Sequence, residues 1–186
     1  TLENAYGYAK FARAVLGTNN VDFRSRQHTL EEGQFLAHAV AGKQLGDGVT
    51  YTELENAKQV ICVGFEPEEE SPIVFLRLRK AARKKGLKVV AVAPYLTNGQ
   101  TKLDAHLVPT VPGTEAEVVS KLDADADTII LVGERAAGSR GALSAVLDLA
   151  GRTGARLAWV PRRAGDRGAI EAGCLPNLLP GGRLVT

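Results

Sequence analysis

The chain has 186 residues, 45% of them hydrophobic, with two cysteines and a formal net charge of +2. That length is enough for one domain with a substantial core, and two cysteines are too few for a disulfide framework or a metal cluster, so we expect a reducing compartment. Basic and acidic residues are interleaved, which argues against nucleic-acid binding. No apolar run approaches the ~20 residues of a transmembrane helix, which argues against direct membrane insertion. The chain begins at Thr1 and has no methionine, so we expect a piece of a longer polypeptide.

The first 58 residues are predicted to form a helical lead-in. Residues 2–16 predict an amphipathic helix that ends at Gly17, because apolar residues recur there at helical spacing. Its apolar face comprises Ala5, Tyr8, Ala12 and Val15, with Phe11 beside them. Residues 18–29 are polar and lack periodicity, which predicts a loop, and residues 31–41 predict a second short helix closed by Gly42.

Residues 59–92 carry the pattern of a βαβ unit, around which the rest of the chain is organised. The parts follow in order: an apolar run at 60–63, Gly64, a charged turn, a helix that opens at Ser71 and Pro72 and ends at Gly86, and a second apolar run at 89–92. Such a unit places two parallel strands in one sheet, and open sheets bind ligands at the carboxyl ends of their strands. Any ligand site is therefore expected near Gly64.

The helix of this unit is well specified at both ends. Ser71 can serve as N-cap, and Pro72 occupies the first helical position, where a missing N–H costs nothing. Charged residues of opposite sign flank it: Glu68, Glu69 and Glu70 before it, and Arg79, Lys80, Arg83, Lys84 and Lys85 in its second half. Both runs match the helix dipole, an interpretation that we favour over a partner-binding patch.

The three glutamates also bear on ligand binding. A strand-to-helix turn normally receives a phosphate, because its free N–H groups and the helix dipole attract an anion. Carboxylates at that turn oppose a phosphate, and the turn has one glycine where dinucleotide-binding turns have three. Ordinary dinucleotide binding at this turn is therefore not expected.

Strands and helices continue to alternate along the chain. Strands are predicted at 106–108, 128–132 and 156–160, and helices at 114–122 and 142–153, the first opened by a capping box of Thr114 and Glu117. This alternation predicts an α/β fold: a Rossmann-like, doubly wound, mostly parallel five-stranded sheet with helices on both faces. The strand at 59–63 should lie near its centre, with a crevice between the turns after Val63 and Val132.

The predicted domain organisation follows from the same pattern. We expect one α/β domain over residues 1–186, made of the lead-in at 1–58, a Rossmann-like core at 59–160 and a tail at 161–186. The tail is rich in Gly, Arg and Pro and should be mostly irregular, with one helical turn at 169–172.

Other candidate sites are weaker. Residues 133–140 form a glycine-rich turn between a strand and a helix but lack the Lys and hydroxyl of a P-loop. The three histidines share no ligand spacing with one another or with the cysteines: His28, His38 and His106. Cys62 should pack as a small core residue, and Cys174 has no activating partner. The residues predict a scaffold without a catalytic or metal site.

Several stretches carry a resemblance to a known family. The segment VGFEPEEESPIVFLRLRKAARKKGLKVVAVAPYLT resembles the molybdopterin oxidoreductase family, whose pattern is a strand, G-x-N-P, a Pro-led helix of the form LRxRKA, a second strand and D-P-x-x-T. AYGYAKFARAVLGTNNVDFRSR, VPTVPGTEAEVV and the tail RAGDRGAIEAGCLPNLLPGG are also similar to segments of that family. Within it, GFEPEEESPIVFLRLRKA is most similar to the branch of large iron-sulfur subunits (the G subunits) of bacterial NADH-quinone oxidoreductase, or respiratory complex I.

The resemblance implies a site that has degenerated. In the family's molybdenum enzymes, the Asn of G-x-N-P and the Asp of D-P-x-x-T help to hold a molybdopterin guanine dinucleotide, and here those positions are Glu66 and Ala93. The matched pocket positions are Gly64, Glu66, Pro67, Ala93, Pro94 and Thr97. The resemblance therefore implies the family fold without bound cofactor, catalytic residue or metal in this chain.

The similarity to the G subunits also implies in which complex the domain would lie. It implies a structural domain in a complex that transfers electrons from NADH to quinone, with iron-sulfur clusters elsewhere in the full polypeptide and other subunits of the respiratory complex as partners. Its place would be cytoplasmic, peripheral to the inner face of the bacterial plasma membrane. Two alternatives remain: a domain of a true, formate dehydrogenase-like molybdopterin oxidoreductase, and a free-standing nucleotide-binding domain.

Overall fold

The computed structural model describes residues 1–43 and 47–185. Contacts divide the chain into two compact units, one made of Thr1–Asp47 and Arg163–Thr186, the other of Gly48–Arg162. The α-helices, in chain order, are α1 (Leu2–Ala14), α2 (Leu30–Phe35), α3 (Tyr51–Asn56), α4 (Pro67–Glu70), α5 (Pro72–Lys85), α6 (Asn98–Lys102), α7 (Glu115–Val119), α8 (Ala142–Thr153) and α9 (Asp166–Glu171). The strands are β1 (Gln59–Val63), β2 (Lys88–Ala93), β3 (His106–Pro109), β4 (Thr128–Gly133), β5 (Arg156–Val160), β6 (Leu178–Leu179) and β7 (Arg183–Leu184).

The Gly48–Arg162 unit is built on a five-stranded sheet in the order β3-β2-β1-β4-β5, and every pair of neighbours is parallel. This confirms the predicted α/β sheet with β1 at its centre. Val63 of β1 pairs with Val132 of β4, so the turns after these strands lie side by side at one edge of the sheet. The strand order reverses between β1 and β4, which is the topological switch point of a doubly wound sheet.

The helix α5 covers one face of the sheet. It begins at Pro72 and ends at Gly86, which has a φ of 70°, as predicted. Its inward side chains join one apolar cluster with strand residues: Val74, Phe75, Leu78 and Ala81 of the helix, and Val60, Cys62, Val89, Ala91, Ile129 and Leu131 of the strands. The predicted cap differs in detail, because the Ser71 side chain makes no capping bond and its carbonyl accepts the Phe75 N–H at 3.1 Å.

The opposite face is also buried. The alternate strand residues on that face are Ile61, Val63, Ile130 and Val132, all of them buried. The helices α7 and α8 pack on each other, and they contact β2 and β5 respectively. Helices on both faces explain why these strands read as continuous apolar runs, since neither side chain direction faces water.

Two local predictions in this unit are wrong. The charged turn after Gly64 contains a one-turn helix, α4, with Pro67 at its first position. The predicted capping box at Thr114 does not form, because that hydroxyl donates to the Val111 carbonyl at 2.8 Å, and α7 ends at Val119. Capping boxes form instead at the starts of α3 and α6.

In the other unit, α1 packs by its small residues. Ala9 is buried in a cluster with Ala169, Ala172 and Cys174, while Tyr8 is 76% exposed. The predicted apolar face is therefore only partly correct: Ala5 packs against this cluster, whereas Tyr8, Phe11 and Val15 are exposed. Small side chains let α1 approach α9 closely, which large ones would prevent.

The Arg13 guanidinium fixes the end of α1 to the tail of the chain. It donates hydrogen bonds to the carbonyls of Gly173, Leu175 and Leu178 at 2.8–3.0 Å. The tail is more regular than predicted: its helix spans Asp166–Glu171, and β6 and β7 form a short antiparallel pair.

The segment between α1 and α2 has no helix or strand, as predicted. Arg24 and Arg26 of this segment form ion pairs with the buried Glu32 of α2, which holds the loop in place. The predicted second helix is present, but its latter half, Leu36–Val40, is π-helical.

Candidate functional site

The switch-point edge of the sheet is filled by its own backbone. Gly64 has a φ of 58°, and a Cβ added to it would lie 2.3 Å from the backbone nitrogen of Ala136. A Cβ on Gly133 would lie 2.2 Å from the Gly64 carbonyl oxygen. Real Cβ atoms do not approach this closely, so only glycine fits at either position. The predicted crevice between these turns therefore holds the 3-10 turn Glu134–Gly138, whose Ala136 and Ala137 are buried.

Glu66 places a carboxylate beside this closed turn. It is 5% exposed and is the N-cap of α4: its Oε2 accepts the Glu69 N–H at 2.7 Å, and its Oε1 accepts the Thr97 hydroxyl at 2.7 Å. A Cβ on Gly99 would lie 2.5 Å from the same Oε1, so the loop after β2 also closes tightly around it. The carboxylate thus takes up the N–H group and the hydroxyl that an external anion would need.

Glu70 adds a second buried carboxylate. Its Oε1 lies 2.8 Å from the Arg135 guanidinium and accepts the Glu66 N–H at 3.3 Å, while its Oε2 has no hydrogen-bond partner. Burial raises the pKa of Glu70, and the Arg135 charge opposes that rise only in part.

The same two carboxylates also affect the pKa of the Cys62 thiol. Burial first, and then the charges of Glu66 and Glu70, raise the pKa of Cys62 to about 12. A thiol with such a pKa stays protonated and unreactive at neutral pH. Cys62 also lies in the apolar cluster under α5, which agrees with its predicted role as a core residue. Cys174 is buried as well, and its Sγ donates to the Ala5 carbonyl at 3.2 Å.

The structure brings some of the predicted pocket positions together. Gly64, Glu66 and Pro67 follow β1, and Thr97 reaches Glu66 from the loop after β2, where it also opens α6 through a capping box. Ala93 ends β2 and is half-buried, and Pro94 is exposed. Sequence reasoning missed the Thr97 hydrogen bond and the burial of Glu134, although two glycines, Gly64 and Gly133, signalled that the two turns approach closely.

These residues do not suit a phosphate-bearing cofactor. The backbone at the switch point leaves no space beside Gly64, and the N–H at the start of α4 already binds Glu66. Glu68 forms an ion pair with Lys102 at 2.5 Å, so a third carboxylate lies on the same turn. Each carboxylate near a bound phosphate costs on the order of 1–4 kcal/mol, depending on solvent access.

The other candidate sites appear as turns and isolated residues. Residues 133–140 form a glycine-rich connection, and Gly141, which follows it with a φ of 80°, precedes α8, as expected for an ordinary turn. Within residues 1–43 and 47–185, no group of three or more His, Cys, Asp or Glu side chains is placed to hold a metal ion. In that same part of the chain, no helix has the length and apolarity needed to cross a membrane.

Comparisons with known proteins agree with the family resemblance. The family model for molybdopterin oxidoreductases matches residues 1–151. The G subunit of NADH-quinone oxidoreductase from Mycobacterium tuberculosis is 55% identical over 191 residues, covering 98% of this chain and 23% of the relative. The protein of the same name from Streptomyces coelicolor is 48% identical over 214 residues, covering 100% of this chain and 25% of the relative.

Formate dehydrogenases are more distant relatives. Formate dehydrogenase H of Escherichia coli is 30% identical over 105 residues, which covers 56% of this chain and 14% of that protein. The chain spans about a quarter of the length of the two NADH-quinone oxidoreductase relatives. With the family model matching most of its length, the chain belongs to the molybdopterin oxidoreductase family.

Proposed function

We propose that this chain is a structural domain of the large iron-sulfur subunit, the G subunit, of an NADH-quinone oxidoreductase. Its similarity to two proteins of that name runs over nearly its whole length, whereas its similarity to formate dehydrogenase H covers little more than half of it. In this role the domain contributes architecture to a complex that transfers electrons from NADH to quinone, and it supplies no catalytic centre.

The observation that carries this proposal is the buried carboxylate of Glu66. The Glu69 N–H and the Thr97 hydroxyl both donate to it, at 2.7 Å each. A phosphate at this turn would meet the repulsion of Glu66, Glu68 and Glu70, at about 1–4 kcal/mol for each close contact. The dipole at a helix N-terminus stabilises a bound anion by only about 0.3–2 kcal/mol, so the net electrostatic free energy of binding a phosphate here is unfavourable. The chain would thus keep the family fold, while its own Glu66 side chain and the backbone of Ala136 occupy the turn where the family's molybdenum enzymes hold their cofactor.

The rest of the proposal concerns the setting. We infer that the iron-sulfur clusters lie in other parts of the full polypeptide, that the partners are other subunits of the respiratory complex, and that the domain is held at the cytoplasmic face of the bacterial membrane through them. A full-length gene with upstream cysteine-cluster motifs, next to genes for other NADH-dehydrogenase subunits, would support this setting. A second domain with an intact pterin pocket in the same polypeptide would favour the molybdoenzyme alternative.

Calorimetric titration tests the absence of a cofactor site. We expect the purified protein to bind GMP, GTP and NADH no more tightly than about 1 mM, which corresponds to only about 4 kcal/mol. Analysis of the full-length protein should find neither molybdenum nor pterin. Glu66→Gln removes only one of the three charges at this turn, so binding should stay weaker than about 1 mM, because Glu68, Glu70 and the backbone of Ala136 beside Gly64 still oppose a phosphate.

Glu117→Gln is the matched control, since this exposed glutamate lies on α7. Micromolar binding of a guanine nucleotide that is lost on substitution at Gly64 would contradict the proposal and support a true molybdopterin oxidoreductase.

A further inference from the structure

A groove of about 580 Å³ lies at the edge of the sheet where β1, β2 and β3 begin, the edge opposite Gly64. Three elements contribute cationic side chains to its walls. Arg83 comes from the last turn of α5, Lys88 is the first residue of β2, and Lys102 is the last residue of α6. His106, the first residue of β3, also lines the groove, and Asp104 is the one carboxylate among the lining residues.

Basic residues of the same region differ in their partners. Arg77 and Lys80 of α5 both form ion pairs with Glu55, and Lys102 forms one with Glu68. Arg83 and Lys88 form no ion pair with any carboxylate in the part of the chain that the structure describes. Both side chains are exposed on the walls of the groove.

The helix dipole explains only some of these charges. Arg83, Lys84 and Lys85 lie in the last turn of α5, where cations offset the negative end of the helix. Lys88 lies beyond the helix, in a strand, where the dipole gives no reason for a cation. Lys88 is thus an exposed positive charge without an ion pair that lines the same groove as Arg83.

The floor of the groove is apolar. Leu87, Val89 and Leu103 line the groove and are buried, and Gly86, which is exposed, lines it as well. An apolar floor with cations at the rim suits a peptide that places an apolar side chain inward and carboxylates outward. The guanidinium of Arg83 can bind such a carboxylate in a bidentate manner.

We propose that this groove receives an acidic segment of a neighbouring polypeptide, with its carboxylates bound by Arg83 and Lys88. This inference rests on the proposed function, because it places the chain within a larger assembly. It adds the surface through which the domain is held and the chemistry of the segment that holds it.

Lysine reactivity in the native assembly tests the proposal without any substitution. The full-length protein is acetylated with a limiting reagent, once in the intact complex and once free, and each lysine is quantified by mass spectrometry. Acetylation needs a free, solvated amine, so Lys88 should react about fivefold or more slowly in the complex, while Lys84 outside the groove keeps its rate. A zero-length carbodiimide cross-linker should join Lys88 to an Asp or Glu of another subunit of the complex, and a cross-link only to the same polypeptide would contradict the proposal.

A charge-matched pair of variants gives a second measurement. Arg83→Gln with Lys88→Gln should lower the fraction of protein found in the complex and make it more sensitive to salt, whereas Lys84→Gln with Lys121→Gln, which removes the same charge from exposed positions outside the groove, should not. Equal thermal unfolding of both variants confirms that neither acts through the fold.

The outcomes separate the two proposals. If the protein purifies within the complex and Lys88 is as reactive there as in the free protein, the groove proposal is overturned and the proposed function stands. If no other subunit accompanies the protein, the proposed function is overturned and the groove proposal with it. Protection of Lys88 together with a selective defect of the Arg83 and Lys88 variant supports both.

Discussion

The helices α5 and α1 carry similar sequence signals and pack in opposite ways. Both have large apolar residues at helical spacing and lie between clear start and stop signals. In α5 the large residues face inward, with Phe75 and Leu78 buried under the sheet. In α1 the large residues, including Tyr8 and Phe11, are exposed, and Ala9 is buried instead.

The difference lies in what each helix packs against. α5 covers a parallel sheet whose branched side chains form a wide apolar surface, and filling it takes large residues. α1 meets another helix, α9, through alanines, so the two backbones approach closely and only small side chains fit between them. Apolar periodicity therefore predicts that a helix forms, but the partner surface decides which side is buried.

Removing a large residue from α5 should have the largest effect. Leu78 is fully buried among strand residues, so Leu78→Ala should destabilise the protein by about 2–5 kcal/mol through lost burial and a remaining cavity. Urea denaturation measures this free energy of unfolding. Leu76→Ala is the matched control on the same helix, because Leu76 is 55% exposed and its loss should stay within about 0.5 kcal/mol. Equal effects for the two would show that α5 does not pack as described.

Enlarging a small residue of α1 should have the next largest effect. Ala9 is buried against Ala169, Ala172 and Cys174, so Ala9→Leu should destabilise the protein by about 1–3 kcal/mol through overpacking. Ala14→Leu, at the exposed end of the same helix, provides the control for the change in residue size. Thermal unfolding compares the two variants. A stabilised Ala9→Leu variant would mean that the gap between α1 and α9 is not filled.

Most of the fold could be predicted from the sequence. The strands are short apolar runs bounded by glycine and charged residues, and their alternation with helices leaves few topologies other than a doubly wound parallel sheet. The stop of α5 at Gly86 follows from a residue that tolerates a positive φ. The exposed face of α1, the π-helical turn and the short strands of the tail depend on tertiary contacts, so no local signal predicts them.

The candidate site, like the fold, could be predicted only in part from the sequence. The charges of Glu66, Glu68 and Glu70 are visible in the sequence, and they predicted a turn unsuited to phosphate. Gly64 and Gly133 are visible as signs of a close approach, but the sequence does not show which residue fills the space, because Ala136 lies 72 positions after Gly64 and meets it only in the folded sheet. The hydrogen bond from Thr97 to Glu66 likewise joins two loops that only the sheet brings together.

The ion pairs that tie α3 to α5 should give a pH-dependent effect. Hydrogen bonds from Lys80 and Arg77, both at 2.7 Å, lower the pKa of Glu55 to about 2. A carboxyl whose pKa is lowered on folding stabilises the protein above its unfolded pKa of about 4.3, and that contribution is lost as the pH falls towards the folded value. The stability of the wild-type protein should therefore decrease as the pH falls from about 4.5 to about 2.

Glu55→Gln should lower the stability at neutral pH and flatten this decrease, because the variant has no carboxyl to protonate. Urea denaturation at a series of pH values measures both. Glu117→Gln, on the exposed side of α7, should keep the wild-type slope. A Glu55→Gln variant with an unchanged slope would show that other carboxyls account for the acid sensitivity.

The smallest change in the free energy of unfolding is expected at Tyr8, and this result would test the difference between α1 and α5 most directly. Tyr8→Ala removes a large aromatic side chain from α1, yet 76% of that residue is already in water, and Ala favours a helix slightly more than Tyr does. The free energy of unfolding should therefore change by no more than about 0.5 kcal/mol, against about 3–5 kcal/mol for Phe75→Ala in α5. Urea denaturation of the free protein measures both changes. A loss of about 2 kcal/mol or more at Tyr8 would mean that the aromatic face of α1 is buried, as its periodicity predicts, and that the alanine face is not the packing surface. A change near zero would show that the helix keeps its large residues on a surface where the folding of this chain gains little from them.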